Sequence, residues 1–371
     1  MRGPLRIAQL APPYEPVPPR AYGGTERVVY ELVAELVRRG HHVTTFASGD
    51  SEVPGTLVET APRALWPAGL HGDASGWFVS TIQGVLARAP EFDIVHGHLE
   101  WYGPLLAALG AQAGVPVVST FHGRLDLPWA GGVLAAAPGR YVAISRSQAA
   151  AHPRFDWAGV VHNGLRLADA PFGSTPSDAL CFVGRVGPEK GILDAIAIAQ
   201  AAGRRIRIAA KVGTMPAEQA YHDDVFMPAV RRAGSRVEFL GELERGERDA
   251  LFADSYASLM PGDWPEPFGL VAIESLACGT PILARPAGAL PEIVRDGVDG
   301  FFAADVEGLA AAVSRVGELD RAAIRASVVD RFSSARMADG YEAIYAGLIA
   351  AADAPSAQRV PAATNGDRAT G

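Results

Sequence analysis

The segment T-E-R-V-V-Y-E-L-V-A-E-L-V-R-R-G-H-H-V-T-T-F-A, residues 25–47, decides the fold. Its apolar side chains recur at helical spacing, which predicts an amphipathic helix with Thr25 as N-cap and Gly40 as the stop. Residues 42–47 and the run Leu5–Ala11 are short apolar segments typical of buried strands. Strand, helix and strand in this order form a βαβ unit, so the chain is expected to begin with a parallel sheet.

The same alternation runs along the chain twice. In the first half, further strands are predicted at residues 92–98, 115–122, 140–145 and 160–165. The segment A-P-F-G-S-T-P-S-D, residues 170–178, then has the composition of a linker. In the second half, strands are predicted at residues 179–184, 205–212, 237–241, 257–261 and 281–285. The pattern predicts an α/β protein with two Rossmann-like domains that face each other across a cleft.

Length and composition limit the number of domains and argue against several kinds of partner. A length of 371 residues exceeds the usual size of one domain and favours two or three. The net charge of -8 argues against binding to nucleic acid or anionic membranes, because both need a concentrated positive surface. Cys181 and Cys278 are the only cysteines, too few for a disulfide framework or a cysteine-based metal site.

No segment is expected to cross a membrane. The first residues lack an apolar core long enough for a signal peptide before prolines interrupt them. The uncharged stretch 101–123 is divided by glycines and prolines into a short helix and a strand. We therefore expect a soluble, cytoplasmic protein without an integral membrane segment.

Loops at the carboxyl ends of the predicted strands carry the candidate binding residues, because ligands of open α/β sheets bind there. Gly23 and Gly24 follow the first strand and precede a helix, where exposed N–H groups favour an anion. A flexible turn before a capped helix would show the same pattern. These two glycines are therefore candidates for contact with a phosphate.

A second loop, G-R-V-G-P-E-K-G at residues 184–191, follows the first strand of the second half. Arg185 and Lys190 lie at either end of a tight turn that enters a helix. Two cations in this position suit a diphosphate, which accepts charge-assisted hydrogen bonds. Glu189 between them would also suit a surface ion-pair loop, which is the alternative.

The segment W-P-E-P-F-G-L-V-A-I-E-S-L-A-C-G-T-P, residues 264–281, carries two carboxylates in apolar surroundings. Glu266 lies in the loop before a predicted short helix, and Glu274 lies on its second turn. Burying a carboxylate without a partner costs several kcal/mol, so the hydroxyls of a bound sugar and ribose are candidate partners. Gly269 would let backbone N–H groups approach the same ligand. The alternative is a solvated Glu266 and a Glu274 that complements the helix dipole.

Together these motifs resemble glycosyltransferase family 4, a family of retaining enzymes with the GT-B fold. The matching segments are G-G-T-E at 23–26, the loop 184–191, the two-glutamate segment 266–281, L-P-E-I-V-R-D-G-V-D-G-F at 290–301 and R-F-S-S-A-R-M-A-D-G-Y-E-A-I-Y at 331–345. The resemblance covers nearly the whole chain to about residue 349. The first loop is also similar to a bacterial subgroup of glucosyltransferases that act on small molecules.

The resemblance implies a division of the chain. Residues 1–168 would form an N-terminal Rossmann-like domain on the acceptor side, and residues 169–352 a C-terminal Rossmann-like domain that binds the nucleotide-sugar. The last helix of the second domain is a candidate to pack back on the first. Residues 353–371 lack the apolar content to pack and are expected to be a disordered tail.

The resemblance also implies a donor site. Arg185 and Lys190 would hold the diphosphate of a nucleotide-sugar, and Glu274 would bind the ribose hydroxyls. Gly23 and Gly24 would lie beside the phosphates and the sugar from the opposite domain. These five residues would therefore bind the activated part of the donor.

The donor sugar itself would be bound by Glu266 and by the backbone at Phe268, Gly269 and Leu270. His122 matches a histidine that lies near the anomeric region of the sugar in similar enzymes. Glu266 and His122 are thus the predicted catalytic residues, with roles in positioning. No residue is an obvious covalent nucleophile.

On the acceptor side the sequence offers less. Trp77, Trp101 and Trp129 are candidates for a sugar platform, although tryptophans more often pack in a core. The two histidines of H-G-H, residues 96–98, are expected to be structural. The junction segment N-G-L-R, residues 163–166, departs from the family pattern, which leaves the local contacts between domains open.

The expected function is transfer of glucose or a related hexose from an NDP-sugar, UDP-linked, to an acceptor hydroxyl with retention of configuration. Cations would stabilise the leaving diphosphate, so neither a metal nor another cofactor is expected. The partners would be the nucleotide-sugar and a small-molecule or glycan acceptor, without nucleic acid. A nucleotide-sugar epimerase or phosphorylase on the same fold and a non-catalytic nucleotide-sugar-binding protein are the alternatives. The oligomeric state stays open.

Overall fold

A computed structural model describes residues 3–20, 23–137 and 139–353 of the chain. These residues form two parallel β-sheets and fourteen α-helices. None of the described helices combines the length and the apolar character needed to span a membrane. Of the predicted disordered tail 353–371, only Asp353 lies within the described residues, where it ends the last helix.

The N-terminal half is built on seven parallel strands. They are β1 (Arg6–Leu10), β2 (His42–Ser48), β3 (Thr56–Ala61), β4 (Ile94–Gly97), β5 (Val117–Phe121), β6 (Arg140–Ala143) and β7 (Trp157–Val160). Their order in the sheet is β3-β2-β1-β4-β5-β6-β7. The accompanying helices are α1 (Gly24–Arg38), α2 (Ser75–Leu86), α3 (Gly103–Ala113), α4 (Ala130–Ala136) and α5 (Arg146–Ala150). The order reverses between β1 and β4, so the loops after these strands open beside each other.

The C-terminal half repeats the plan with six parallel strands. They are β8 (Leu180–Arg185), β9 (Ile206–Lys211), β10 (Val237–Gly241), β11 (Ser258–Met260), β12 (Ile282–Ala284) and β13 (Gly300–Phe302), in the order β10-β9-β8-β11-β12-β13. The helices are α6 (Ile192–Ala201), α7 (Pro216–Tyr221), α8 (Met227–Ala233), α9 (Arg245–Asp254), α10 (Leu270–Ala277), α11 (Leu290–Ile293), α12 (Val306–Ala312), α13 (Arg321–Arg331) and α14 (Ser334–Asp353). Here the order reverses between β8 and β11.

The predicted α/β class with two such halves is confirmed, and the local differences have physical reasons. β3 and β13 were not predicted: β3 is mostly half-buried and lacks a continuous apolar run, and β13 has three residues. β7 (Trp157–Val160) lies earlier than the predicted strand 160–165 and shares only Val160 with it. The predicted N-cap Thr25 is wrong, since α1 begins at Gly24 with Gly23 as N-cap and without a side-chain cap.

The last helix returns to the first sheet. Tyr341 and Tyr345 of α14 are fully buried and pack in the same apolar cluster as Ile7 and the inner side of α1. Gln9 of β1 donates from Nε2 to the Tyr345 hydroxyl at 3.0 Å. The final helix therefore supports the N-terminal sheet directly beneath the strand whose loop reaches the cleft.

Candidate active site

A cavity of about 570 Å³ lies between the two halves. One wall is formed by the loops after β1, β4 and β5, and the other by the loops after β8 and β11 and by the start of α10. Ligands of parallel sheets bind at such carboxyl ends. The predicted site residues that line the cavity are Gly23, Gly24, His122, Arg185, Lys190, Glu266, Phe268, Gly269 and Leu270. Glu274 lies behind this wall.

Gly23 and Gly24 bring the backbone of the N-terminal half to the cavity. A Cβ atom placed on Gly24 would lie 3.5 Å from Leu270 Cδ1 in the opposite wall. A Cβ atom on Gly23 would lie 2.6 Å from Pro19 Cβ, so a larger residue would displace the loop. The N-terminus of α1 has no side-chain cap, and its first N–H groups are therefore suited to a ligand anion.

Arg185 and Lys190 line the cavity, and each is engaged with carboxylates. Arg185 donates from Nη2 to Glu189 at 3.1 Å and from Nη1 to Glu218 at 3.4 Å. Lys190 contacts Glu266 directly, with both side chains about four-fifths buried. Both cations are thus paired with carboxylates in this conformation, and their contact with a diphosphate stays a prediction.

The loop that carries Glu266 is held tightly. A Cβ atom on Gly288 would lie 2.3 Å from the backbone N of Glu266, and Ala289 N donates to Glu266 O at 2.9 Å. Gly269 has a φ of +107°, a conformation that favours glycine, and serves as N-cap of α10. Phe268, Gly269 and Leu270 of this turn line the cavity together with Glu266.

Glu274 connects the two halves. Its side chain is 5% exposed, contacts Arg27 of α1, and accepts from Arg248 Nη2 of α9 at 2.8 Å. Burial lowers the pKa of Arg27 to about 9, with like charge from Arg248 adding to the effect. The carboxylate expected to bind ribose is thus paired with two cations in this conformation, and its ribose role stays a prediction.

His122 ends a buried hydrogen-bond chain. Its Nε2 lies 2.8 Å from His98 Nδ1, and His98 Nε2 lies 2.9 Å from Gln9 Oε1. Because Gln9 donates its amide to Tyr345, its oxygen accepts from His98, which makes His122 Nε2 the donor to His98. Burial lowers the pKa of His122 to about 3, so the ring is neutral. His122 Nδ1 is then an acceptor for a ligand hydroxyl.

The histidines of residues 96–98 have the structural role expected of them. Both are fully buried, and burial holds the pKa of each well below its usual value. His96 bridges the Tyr345 hydroxyl at 2.7 Å and the Thr120 hydroxyl at 2.8 Å. His98 also fixes the orientation and the tautomer of His122 through their hydrogen bond, a role that the sequence did not indicate.

Two carboxylates of the cavity wall received no role from the sequence. Glu100 accepts from the backbone N–H groups of His122 at 3.0 Å and Gly123 at 3.1 Å, and burial raises its pKa to about 7. Glu26 is 5% exposed, and burial raises its pKa to about 8. The available signal was position, because Glu100 follows β4 and Glu26 follows the Gly-Gly loop.

Aromatic rings cover the same wall. Trp66 stacks on Tyr14 with ring centroids 4.8 Å apart, and Phe78 stacks on Tyr102 at 4.4 Å. Tyr14 meets Phe78 edge-on at 5.6 Å, so the four rings are continuous. Of the predicted sugar platform, Trp101 lines the cavity. Trp77 packs in an apolar cluster, and Trp129 is half exposed beside Trp101.

Among residues 3–20, 23–137 and 139–353, no three His, Cys, Asp or Glu side chains converge in a way that could hold a metal ion. The cations described at the cavity are instead those of Arg185 and Lys190. Independence from metals stays a prediction, which an activity assay has to test.

Two family models match most of the chain. Residues 22–168 match Glycosyltransferase Family 4, and residues 177–318 match Glycosyl transferases group 1. The chain is 30% identical over 364 residues to glycogen synthase of Mycobacterium tuberculosis (strain H37Rv), covering 84% of this chain and 86% of that one. It is 28% identical over 360 residues to D-inositol 3-phosphate glycosyltransferase of Mycobacterium leprae (strain TN), covering 83% and 84%.

Solved structures share the architecture. AviGT4, a glycosyltransferase involved in avilamycin A biosynthesis, superposes with a TM-score of 0.70 at 26% identity, covering 94% of this chain and 98% of that one. Anabaena Alr3699/HepE in complex with UDP and glucose has a TM-score of 0.69 at 20% identity, covering 93% and 100%. The fold is therefore GT-B.

Proposed function

The chain belongs to glycosyltransferase family 4, and from this premise we propose that it transfers a hexose from an NDP-sugar to an acceptor hydroxyl with retention of configuration. One observation carries the proposal. Cations for a diphosphate, a carboxylate for sugar hydroxyls and glycines that admit close backbone contact line a single cavity between the halves. This combination suits the donor better than a nucleotide or a sugar alone.

Arg185 and Lys190 would bind the diphosphate and stabilise the negative charge that grows on it as the glycosidic bond breaks. Lys190 would exchange its contact with Glu266 for a phosphate oxygen. Glu266 would then be free to accept hydrogen bonds from the sugar hydroxyls. Donor binding would thus convert an internal ion pair into two ligand contacts.

His122 and the backbone at residues 268–270 would position the sugar between the walls. The neutral ring of His122 offers Nδ1 as an acceptor, which suits a sugar hydroxyl and not a phosphate. With retention, the acceptor attacks the face from which the diphosphate departs, and a donor phosphate oxygen takes the acceptor's proton. The protein's contribution is orientation and charge stabilisation.

Glu274 would bind the ribose of the nucleoside. Its carboxylate is paired with Arg27 and Arg248, so ribose binding would require the contact between α1 and α10 to rearrange. UDP-glucose is the first donor to test, since a protein of the same fold has been solved with it. The nucleotide-sugar is a co-substrate, and we propose that no metal or other cofactor takes part.

The test is transfer of labelled glucose from UDP-glucose to a panel of acceptors, with the anomeric configuration of the product assigned by NMR. We expect an axial linkage and a rate unchanged by EDTA. An inverted product or loss of activity with the chelator would contradict the proposed mechanism. Interconversion of the sugar without an acceptor would identify an epimerase, and phosphate-dependent release would identify a phosphorylase.

A further inference from the structure

The two walls of the cavity differ in charge. On the C-terminal wall the lining cations Arg185 and Lys190 accompany the lining acids Glu189 and Glu266. On the N-terminal wall the described lining residues include no lysine or arginine, and their charged side chains are carboxylates. If the donor binds to the C-terminal wall, the acceptor binds to the N-terminal wall.

The acids of the N-terminal wall have no cationic partner among the described residues. Glu100 receives backbone N–H groups, and the N–H groups of Glu26 and Glu15 face the Glu26 carboxylate. The neutral ring of His122 adds no charge. Glu15 in turn lies 3.8 Å from Lys211 Nζ.

Carboxylates in this position are costly without a countercharge. A buried acid is normally paired or hydrogen-bonded, and removal from water disfavours its ionised form. Glu26 and Glu100 also repel each other, which adds to the effect of burial in raising the pKa of Glu26. The wall therefore gains most from a ligand that brings a positive charge.

The rings beside these acids suit the same ligand. Tyr14 lies in the field of Glu26 and Glu100, and burial with these charges raises its pKa. Its ring continues into the stack formed with Trp66, Phe78 and Tyr102. Aromatic faces attract cations through the negative potential of the ring, and a carboxylate beside them adds direct attraction.

Resting on the proposed function, we propose that the acceptor carries a protonated amine, which Glu26, Glu100 and the adjoining aromatic rings bind beside the hydroxyl that receives the sugar. The substrate class is an amino sugar or another amino-polyol. A phosphorylated acceptor would meet two carboxylates and no described lysine or arginine on this wall. A neutral polyol would bring no positive charge to Glu26 and Glu100.

The test compares three probes that differ in one group: glucosamine, glucose and glucose 6-phosphate. Their binding to the full chain saturated with UDP is measured by calorimetry at neutral pH. We expect glucosamine to bind about tenfold or more tightly than glucose, and glucose 6-phosphate to bind most weakly. Equal affinities, a preference for the phosphate, or no binding of glucosamine would each overturn the proposal.

Two variants assign the preference to the wall. Glu26→Gln and Glu100→Gln keep the shape of the protonated acids, and each is expected to remove most of the preference for glucosamine over glucose. Glu52→Gln, which changes an exposed acid of the same half, is the matched control and should retain it. Retention of the preference in both cavity variants would contradict the assignment.

A measurement on the unaltered protein covers the case in which a variant fails to fold. Binding of a cation beside partly protonated carboxylates releases protons, which calorimetry in buffers of different ionisation enthalpy detects. The groups that face the two acids are Glu15, Tyr14 and His122. Proton release with glucosamine and none with glucose is expected, and equal values for both would contradict the proposal.

Failure of this proposal is separable from failure of the proposed function. UDP binding to the same preparation is measured first. Absence of nucleotide binding would contradict the donor site, while the ranking of the three probes is still measurable on the nucleotide-free protein. Normal UDP binding with no preference for the amine would contradict the acceptor proposal alone.

Discussion

The two walls of the cleft balance their charges by different means. On the C-terminal wall, Arg185 and Lys190 are paired with acids of the same half. On the N-terminal wall, Glu26 and Glu100 have no cationic partner among the described residues, and their pKa values are raised instead. On the C-terminal wall, a negatively charged ligand can replace a carboxylate as the partner of a cation. On the N-terminal wall, a positively charged ligand can supply the cationic partner that the acids lack.

Glu274→Ala tests how much the contacts of Glu274 with Arg27 and Arg248 contribute to the stability of the protein. Removal of this buried carboxylate leaves Arg27 and Arg248 with unbalanced charge, so the free energy of unfolding should fall by about 3–5 kcal/mol. Urea denaturation measures the change. The exposed Glu318→Ala is the matched control, and an equal small loss in both would show that this pair contributes little.

Lys190→Ala should impair use of the nucleotide-sugar donor without changing the binding of the acceptor. Loss of one group that stabilises developing charge typically lowers the rate about 10²–10³-fold. The change is measured as kcat/KM for transfer from the nucleotide-sugar. Arg315→Ala, an exposed cation of the same half, should leave it unaltered. A loss of less than about threefold at Lys190 would argue against its contact with the diphosphate.

Glu26→Gln tests whether an acid of the N-terminal wall makes the stability of the protein depend on pH. Burial raises the pKa of Glu26 in the folded chain from its ordinary value of 4.5 to about 8. The folded chain therefore binds more protons than the unfolded chain between these pH values, and its stability falls as pH rises. The stability of the variant should match that of the wild type near pH 4 and exceed it by several kcal/mol above pH 8, at about 1.4 kcal/mol per unit of pKa difference.

Thermal unfolding across this pH range, repeated with Glu52→Gln, measures the effect. Glu15 and Glu100 face Glu26 and also contribute to the pH dependence. The contribution of Glu26 is therefore the difference in stability between the wild type and Glu26→Gln at each pH. A difference between wild type and Glu26→Gln that does not change with pH would show that folding leaves the pKa of Glu26 unshifted.

Trp66→Ala is expected to have the smallest effect. The ring is 39% exposed at the edge of the aromatic stack, where a cation–π contact contributes about 0.5–1 kcal/mol. The preference for glucosamine over glucose should therefore fall about two- to fivefold. Leu70→Ala, which removes an exposed apolar side chain of the same half that does not line the cavity, is the control. An equal loss in both variants would place the amine elsewhere.

Prediction from the sequence succeeded where a motif is contiguous. Segment 184–191 contains the end of β8, and segment 264–281 follows β11. Each carries a glycine turn and candidate side chains, and Arg185, Lys190 and Glu266 line the cavity. Their roles in donor binding stay predictions. The pairing of Lys190 with Glu266 was not predicted, because it joins loops 76 residues apart. Glu26 and Glu100 were missed for the same reason, since a carboxylate acquires a raised pKa only from what surrounds it.

The sequence by itself determined the alternation of strands and helices, the GT-B class, the family and most of the candidate residues that line the cavity. These depend on local periodicity and on short motifs. The tertiary structure alone decided that Glu274 pairs with Arg27 across the halves, that His98 orients His122, and that one wall of the cleft carries unbalanced acids. Burial and charge compensation are sums over neighbours distant in the chain, and only the folded arrangement specifies which neighbours those are.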